Sequence, residues 1–297
     1  MPTQDRKNSD LVYRGYTQSE LDKAYTQSEW APNFREVLAR QASESARVRS
    51  RLTPQTVQYG PSAQETLDIF APSMVRDAPI HVHVHGGAWK ALTKEDVSFP
   101  APFFVERGMI YIALNFDVIP AVTIPGMVRQ ISRAIHWIHE KAGAFGGDRN
   151  SMHISGHSSG AHLAGVLLTL DWHQHFNLPP NVLKSGVLIS GTYDLAPVMK
   201  SVRSSYVSLT NDEIYSLSAV NHIQRISSRI VLAVGEFESP EFRRQARDFY
   251  NLLREANVAV SLIDIPGKNH FEVMDEFVAE HFELGRAAMD VIRALEP

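Results

Sequence analysis

Cysteine is absent from all 297 residues, which removes disulfides, thiolate metal sites and a cysteine nucleophile together. No uninterrupted apolar run approaches the ~20 residues that a bilayer-spanning helix needs. The opening stretch MPTQDRKNSDLVYRGYTQSE lacks the apolar centre of a secretory leader. Residence in the cytoplasm is the expectation that follows. Charge of one sign is not in excess either. The 29 Lys and Arg against 33 Asp and Glu leave a net charge of -4, which gives no electrostatic reason to expect a nucleic-acid or membrane partner. A small molecule is the expected partner, with a homodimer as the one protein assembly left open. Apolar residues at 44% and charged residues at 21% are ordinary globular proportions, so disorder and a fibrous class are disfavoured.

What is present begins with a polar, helix-prone stretch over residues 1–50. YTQSE at Tyr16 to Glu20 returns at Tyr25 to Glu29, too short an echo for a repeat architecture. Thr17 with Glu20 fits a capping box and marks a helix start; Trp30 and Phe34 would then lie over something apolar. From residue 56 onward, the strand-like runs TVQYG, ETLDIFA, IHVHVHG, MIYIALNF, SMHISG, GVLISG, RIVLAVG and VSLIDIPG appear, with helical stretches such as 128–144 and 241–256 between the later ones. Such alternation predicts one α/β domain over 1–297, a mostly parallel central sheet with helices on both faces. Ligands in such sheets bind beyond the carboxyl ends of the strands. The N-terminal segment and residues 193–228, longer than a crossover needs, are expected to form a helical, cap-like roof over that end.

The most informative motif is ISGHSSGAHLAG. Gly156-His157-Ser158-Ser159-Gly160 fits G-x-S-x-G between an apolar strand and a helix-compatible run. That context suits a nucleophile pushed out on a sharp strand-to-helix turn. A serine hydroxyl needs a base, and the base an orienting acid. In this architecture the chain order is Ser, then Asp or Glu, then His. His270 follows a short turn after the last strand and is the base candidate, in a chain with 13 histidines. His157 and His162 lie close to Ser158 in sequence and are expected to pack or line the pocket. For the acid, Glu236, Glu238, Glu241 and Asp194 all follow strands. Glu241 suits a helix start, and the turn toward His270 favours Glu238 over Glu236.

IHVHVHGGAWK places His81, His83 and His85 at alternate positions, on one face of a strand, as metal ligands often are. No further cluster with ligand spacing accompanies them. An acyl-transfer site needs N–H donors for its tetrahedral oxyanion, one from the residue after the nucleophile and others from a Gly-rich loop after an early strand. HGGAW fits that loop: the N–H groups of Gly87, Ala88 and Ser159 would form the hole, with Gly86 and Gly87 letting backbone approach substrate. His85 would brace the loop at the pocket, Trp89 would line the acyl pocket or pack beneath it, and His81 and His83 become strand residues. Neither a metal nor a cofactor is expected.

Taken in order, HVHGGAWKAL, LNFDVIPAVTIPGMVRQI, WIHEKAGAFGGDRNSMHISGHSSGAHLAG, ISGTYDLAPV, VGEFESPEFRRQ and GKNHFEV resemble the α/β-hydrolase kynurenine formamidases (arylformamidases) and their bacterial relatives, near the hormone-sensitive-lipase-like esterases. The resemblance covers essentially the whole chain. In that family the acid immediately precedes SPEF, which supports Glu238, although the animal enzymes usually carry Asp there. The loop also lacks the third glycine of the lipase-like HGGG. The resemblance implies a metal-independent serine hydrolase that works through an acyl-enzyme on an N-formyl arylamine such as N-formylkynurenine. A carboxylesterase or amidase for other small acyl compounds is the alternative, and an inactive binding protein of the same fold a more remote one.

Overall fold

The computed structural model describes residues 10–294. The first nine and last three residues of the unit expected over 1–297 lie outside the described residues. A short antiparallel pair, β1 (Leu11–Tyr13) and β2 (Tyr16–Thr17), precedes the main sheet. That sheet comprises β3 (Gln55–Gln58), β4 (Thr66–Phe70), β5 (Ala78–Val84), β6 (Ile110–Leu114), β7 (Gly147–His157), β8 (Leu183–Ile189), β9 (Arg229–Gly235) and β10 (Val260–Ile265). Its spatial order is β10-β9-β8-β7-β5-β6-β4-β3. The pairs from β10 to β6 are parallel, and β4 and β3 join antiparallel at the edge. Every apolar run expected to be a strand is one.

Period-two alternation divides the core. Ile110, Ile112 and Leu114 of β6 pack into one apolar cluster, while Tyr111 and Ala113 pack into the other on the opposite face. Because both faces are covered, β5, β6, β8, β9 and the second half of β7 read as nearly continuous buried runs. The helix expected over 128–144 begins earlier, at Ile124, with Thr123 accepting from the Gly126 N–H, and gives way to a 3-10 turn at Ala142. The helix expected over 241–256 is Pro240–Glu255, started by the Ser239 hydroxyl and with proline in its first turn.

Two segments cross the carboxyl ends of the strands. In the first, Thr17 and Glu20 form the capping box of helix Gln18–Ala24, and helix Phe34–Arg51 buries Val37, Gln41, Ser45 and Val48 along one stripe. Phe34 packs on Phe271, with ring centroids 5.6 Å apart. Trp30 does otherwise than expected: its Nε1–H donates to the Lys23 carbonyl and the Lys23 ammonium lies over its ring, so it folds back on its own segment. In the second segment the expected helical cap is thin. Residues 193–228 hold one helix of six residues, Asn211–Ser216, and four single-turn 3-10 pieces. The segments meet where Gln18 donates to the Lys200 carbonyl and Arg203 donates to that of Tyr25. No helix among the described residues is long and apolar enough to cross a membrane.

Candidate active site

β7 ends in the turn that carries Ser158. Its backbone sits at φ 57° and ψ -120°, a conformation that side chains other than hydrogen rarely adopt. The neighbouring glycines make the turn sterically feasible: a Cβ on Gly156 would lie 2.3 Å from the Gly160 carbonyl oxygen, and one on Gly160 would lie 2.1 Å from that of Val84. Ser158 N–H donates to the Ile189 carbonyl at 2.8 Å, and the Ser158 carbonyl receives His162 N–H to open helix Ser159–Leu168. The hydroxyl is thereby held above the sheet.

His270 comes to it from the loop after β10. Its Nε2 lies 2.9 Å from Ser158 Oγ and its Nδ1 lies 2.8 Å from Glu238 Oε2. A carboxylate only accepts, so Nδ1–H donates to Glu238 and Nε2 is left to accept from the serine. The second oxygen of Glu238 accepts from the Ser190 hydroxyl and, at 2.8 Å, from Gly235 N–H, which fixes the carboxylate from the tips of β8 and β9. The other acids sit elsewhere: Glu236 accepts from Gly267 N–H, Asp194 from Ala196 N–H, and Glu241 pairs with Arg244 in the first turn of its helix. Such an array can draw the serine proton onto His270 while the acid stabilises the imidazolium.

The loop after β5 folds over the turn. Gly87, Ala88 and Trp89 all have positive φ, and a Cβ on Gly87 would lie 2.0 Å from the Ala91 carbonyl oxygen. Gly86 abuts Ser158, so any side chain there would strike the His157 carbonyl. The backbone N–H groups of Gly87, Ala88 and Ser159 find no acceptor among the described residues, as donors awaiting an oxyanion would. Trp89 N–H donates to Ser159 Oγ at 3.2 Å, tying loop to elbow.

The neighbouring histidines divide by what they touch. His157 borders the cavity, and its Nε2–H donates to the His270 carbonyl at 2.7 Å. Burial and the adjacent His270 hold its imidazole well below the usual histidine range. His162, expected at the pocket, is instead buried beneath it: Nε2–H donates to the Leu217 carbonyl, Nδ1 accepts from the Trp89 indole, and burial pushes its pKa to about 4. His85 also departs from expectation. It does brace the loop, through the Gly86 carbonyl, but its ring is stacked on Phe116 and stands outside the cavity wall. His81 and His83 share the Ser155 hydroxyl at 2.7 and 2.8 Å, among the rings of Phe104, Tyr111 and Phe277. Of His81, His83 and His85 only His83 reaches the cavity. Among the described residues no three His, Asp or Glu side chains converge as metal ligands would.

Ser158 stands between two spaces of very different size. A cavity of about 480 Å³ extends away from it past Phe34, Val97, Phe271 and Met274. On the other side is a recess of about 10 Å³ between Ala88, Trp89, Ser159, Val198 and Phe242. Tyr25 and Arg203 border both. Val198 and Arg203 do not stand out in the sequence, and although Tyr25 opens the second YTQSE and Phe242 closes SPEF, neither motif by itself points to the site; their packing places all four there.

The sheet, the elbow and the acid-held imidazole define an α/β-hydrolase. The family model BD-FAE matches residues 67–186. A kynurenine formamidase of Salmo salar is 30% identical, over 92% of this chain and 95% of its own, and one of Danio rerio is 29% identical, over 94% and 98%. A candidate thioesterase of Silicibacter sp. TM1040 superposes with a TM-score of 0.78 at 24% identity, covering 89% of this chain and 97% of that one. The chain belongs to the kynurenine formamidase family, and it is a hydrolase that acts on small acyl substrates.

Proposed function

We propose that the chain is a cytoplasmic, metal-independent serine hydrolase that removes the formyl group from an N-formyl arylamine of the N-formylkynurenine type. Ser158 attacks the formyl carbon as His270 Nε2 takes its proton, and Glu238 steadies the imidazolium. The oxyanion is received by the N–H groups of Gly87, Ala88 and Ser159. His270 returns its proton to the departing arylamine, and water then releases formate from Ser158 by the same path in reverse.

The observation that carries this reading is the disparity between the two spaces beside Ser158. A recess of about 10 Å³ has the room of a single water, enough for the hydrogen of a formyl group. The cavity of about 480 Å³ accommodates an aryl leaving group. The family relatives are formamidases by name, which supports the same choice.

Formyl, acetyl and butyryl derivatives of one arylamine provide the test. We expect kcat/KM to favour formyl over acetyl by at least about tenfold, a difference of ~1.4 kcal/mol in transition-state binding. Rates that are flat or rise with chain length would discard the formamidase reading in favour of a carboxylesterase or amidase. Turnover of activated short esters is expected in both cases.

A further inference from the structure

The roof of the large cavity carries two cations that the triad does not use. Lys90 leaves the oxyanion loop with its ammonium 4.2 Å from the centre of the Tyr206 ring. Arg203 reaches the same residue at its hydroxyl: Nη1 donates to the Tyr206 hydroxyl at 2.6 Å, while Nε and Nη2 donate to the Tyr25 carbonyl at 3.1 and 2.8 Å. Its guanidinium also sits 5.9 Å from the centre of the Trp89 ring. Both residues line the cavity that begins at Ser158.

Neither cation has a carboxylate within ion-pair distance among the described residues. Several buried or half-buried cations elsewhere in the molecule do, although not all: Lys94 pairs with Asp68, Arg133 with Glu65 and Arg244 with Glu241, whereas half-buried Arg243 has no ion pair among the described residues. Among the described residues the one carboxylate in the cavity wall, Asp96, accepts from the backbone and hydroxyl of Thr93. Arg203 is thus held in place by a carbonyl and a hydroxyl, groups that orient a guanidinium without neutralising it. Each terminal nitrogen carries two hydrogens, so the bonds observed leave donors over. An oriented guanidinium together with an exposed ammonium held only by an aromatic face suits a planar, two-oxygen anion.

We infer that Lys90 and Arg203 form a carboxylate-reading subsite in the roof, so that the enzyme prefers acyl compounds whose leaving group bears an anionic arm. This rests on the reading that Ser158 is the nucleophile and that the large cavity receives the leaving group. Arg203 supplies the fixed direction and Lys90 the adaptable charge. Because the site is partly open to solvent, the preference weakens as salt rises through the range where the Debye length falls to about 10 Å and below.

The experiment compares two substituents of nearly equal size and electronic effect, carboxymethyl and carboxamidomethyl, on the ring of a formanilide and, in parallel, of a phenyl acetate. We expect the anionic member to have the higher kcat/KM by about tenfold at low ionic strength in whichever series is turned over, mainly through KM. Lys90→Met should reduce that ratio at least threefold, and Lys90→Glu should bring it to one or below. Arg203→Lys, which keeps the charge but loses the fork, should reduce it less than Arg203→Gln.

A ratio near one in wild type, or one untouched by the Lys90 variants, overturns the inference even if formanilides are good substrates. Rejection of both formanilides with a charge preference intact among the esters overturns the formyl reading and leaves the subsite standing. Calorimetric binding of (3-aminophenyl)acetate and its amide to the Ser158→Ala protein reads the same preference without turnover. Equal affinities there, with no salt dependence, would also overturn it.

Discussion

Beneath Ser158 the side chains belong to parallel strands in fixed register, with His83 opposite Ser155, His157 opposite Ile189 and Ile189 opposite Ala233. Above it, Tyr25, Val198 and Arg203 come from two irregular segments that lean on one another through the Gln18–Lys200 and Arg203–Tyr25 hydrogen bonds. The floor sets angles and distances to within what a hydrogen bond tolerates, which is what proton transfer requires. The roof sets the volume and charge offered to the substrate. On the proposed mechanism the two regions should therefore fail differently: damage to the floor should stop the reaction, and damage to the roof should redistribute the substrates.

The floor should give the largest effects. Ser158→Ala and His270→Ala are each expected to lower kcat by roughly 10⁴ to 10⁶, because the members of a triad act as a unit. Circular dichroism should find the fold intact. Glu238→Gln should cost roughly 10² to 10⁴, whereas Glu236→Gln and Asp194→Asn should stay near wild type. Steady-state kinetics on a formanilide decides the matter, and the reverse pattern among the acids would move the orienting role off Glu238.

Acid should weaken the floor before it touches the roof. Burial lowers the pKa of His83 and His153 to about 3 and of His85 and His162 to about 4, and it lowers those of His81 and His157 as well. Depressed histidines stay neutral in the folded protein while the unfolded chain takes up protons from about pH 6.5 downward. Stability is therefore complete above pH 6.5 and falls as the pH drops toward 3 to 4, by up to about 1.4 kcal/mol per pH unit for each such residue. Urea midpoints measured at pH 7.5, 6 and 5 should fall in that order with little change in m-value. A flat profile would mean that these imidazoles are less enclosed than their rings imply.

A smaller effect belongs to the recess. Val198 is 1% exposed and forms part of its wall. Val198→Ala makes room for about two carbon atoms, each worth ~0.8 kcal/mol when buried. The acetyl-to-formyl ratio of kcat/KM should rise about fourfold or more, at a stability cost of roughly 1–2 kcal/mol. An unchanged ratio would place the acyl group elsewhere.

The same division governs what could be read from the sequence. Strand runs carry their own signature because alternate residues meet different cores, and the elbow is a local motif whose glycines are demanded by close contacts, Gly156 with the next turn and Gly160 with the end of β5. The acid needed more than local signals. Four carboxylates were plausible by position, and the turn toward His270 together with the family pattern before SPEF pointed to Glu238, where the hydrogen bond is found. Proximity in sequence misled for His85 and His162: the first turns onto Phe116 once past the end of β5, and the second is aimed by its helix at Leu217 and Trp89. Trp30 misled similarly, since a neighbouring lysine satisfied it locally. The roof was legible only as surplus length. Its working residues lie far apart in the chain and carry no periodicity, so the volume they enclose exists only after folding.

At Ser158 the positive φ with ψ near -120° makes the residue proposed to react an uncomfortable one for its own peptide geometry, since that region of backbone space belongs almost wholly to glycine. Thermostability and turnover consequently select opposite alleles at this position. Ser158→Gly relieves roughly 1–3 kcal/mol of local strain, less the extra freedom that glycine brings to the unfolded chain, while deleting the proposed nucleophile. A library of variants enriched only for resistance to heat or protease should therefore drift toward the Ser158→Gly substitution and lose hydrolysis. Sequencing such an enriched pool at the codon for Ser158 would expose the conflict directly, and any programme to harden this enzyme has to keep a catalytic readout in every round.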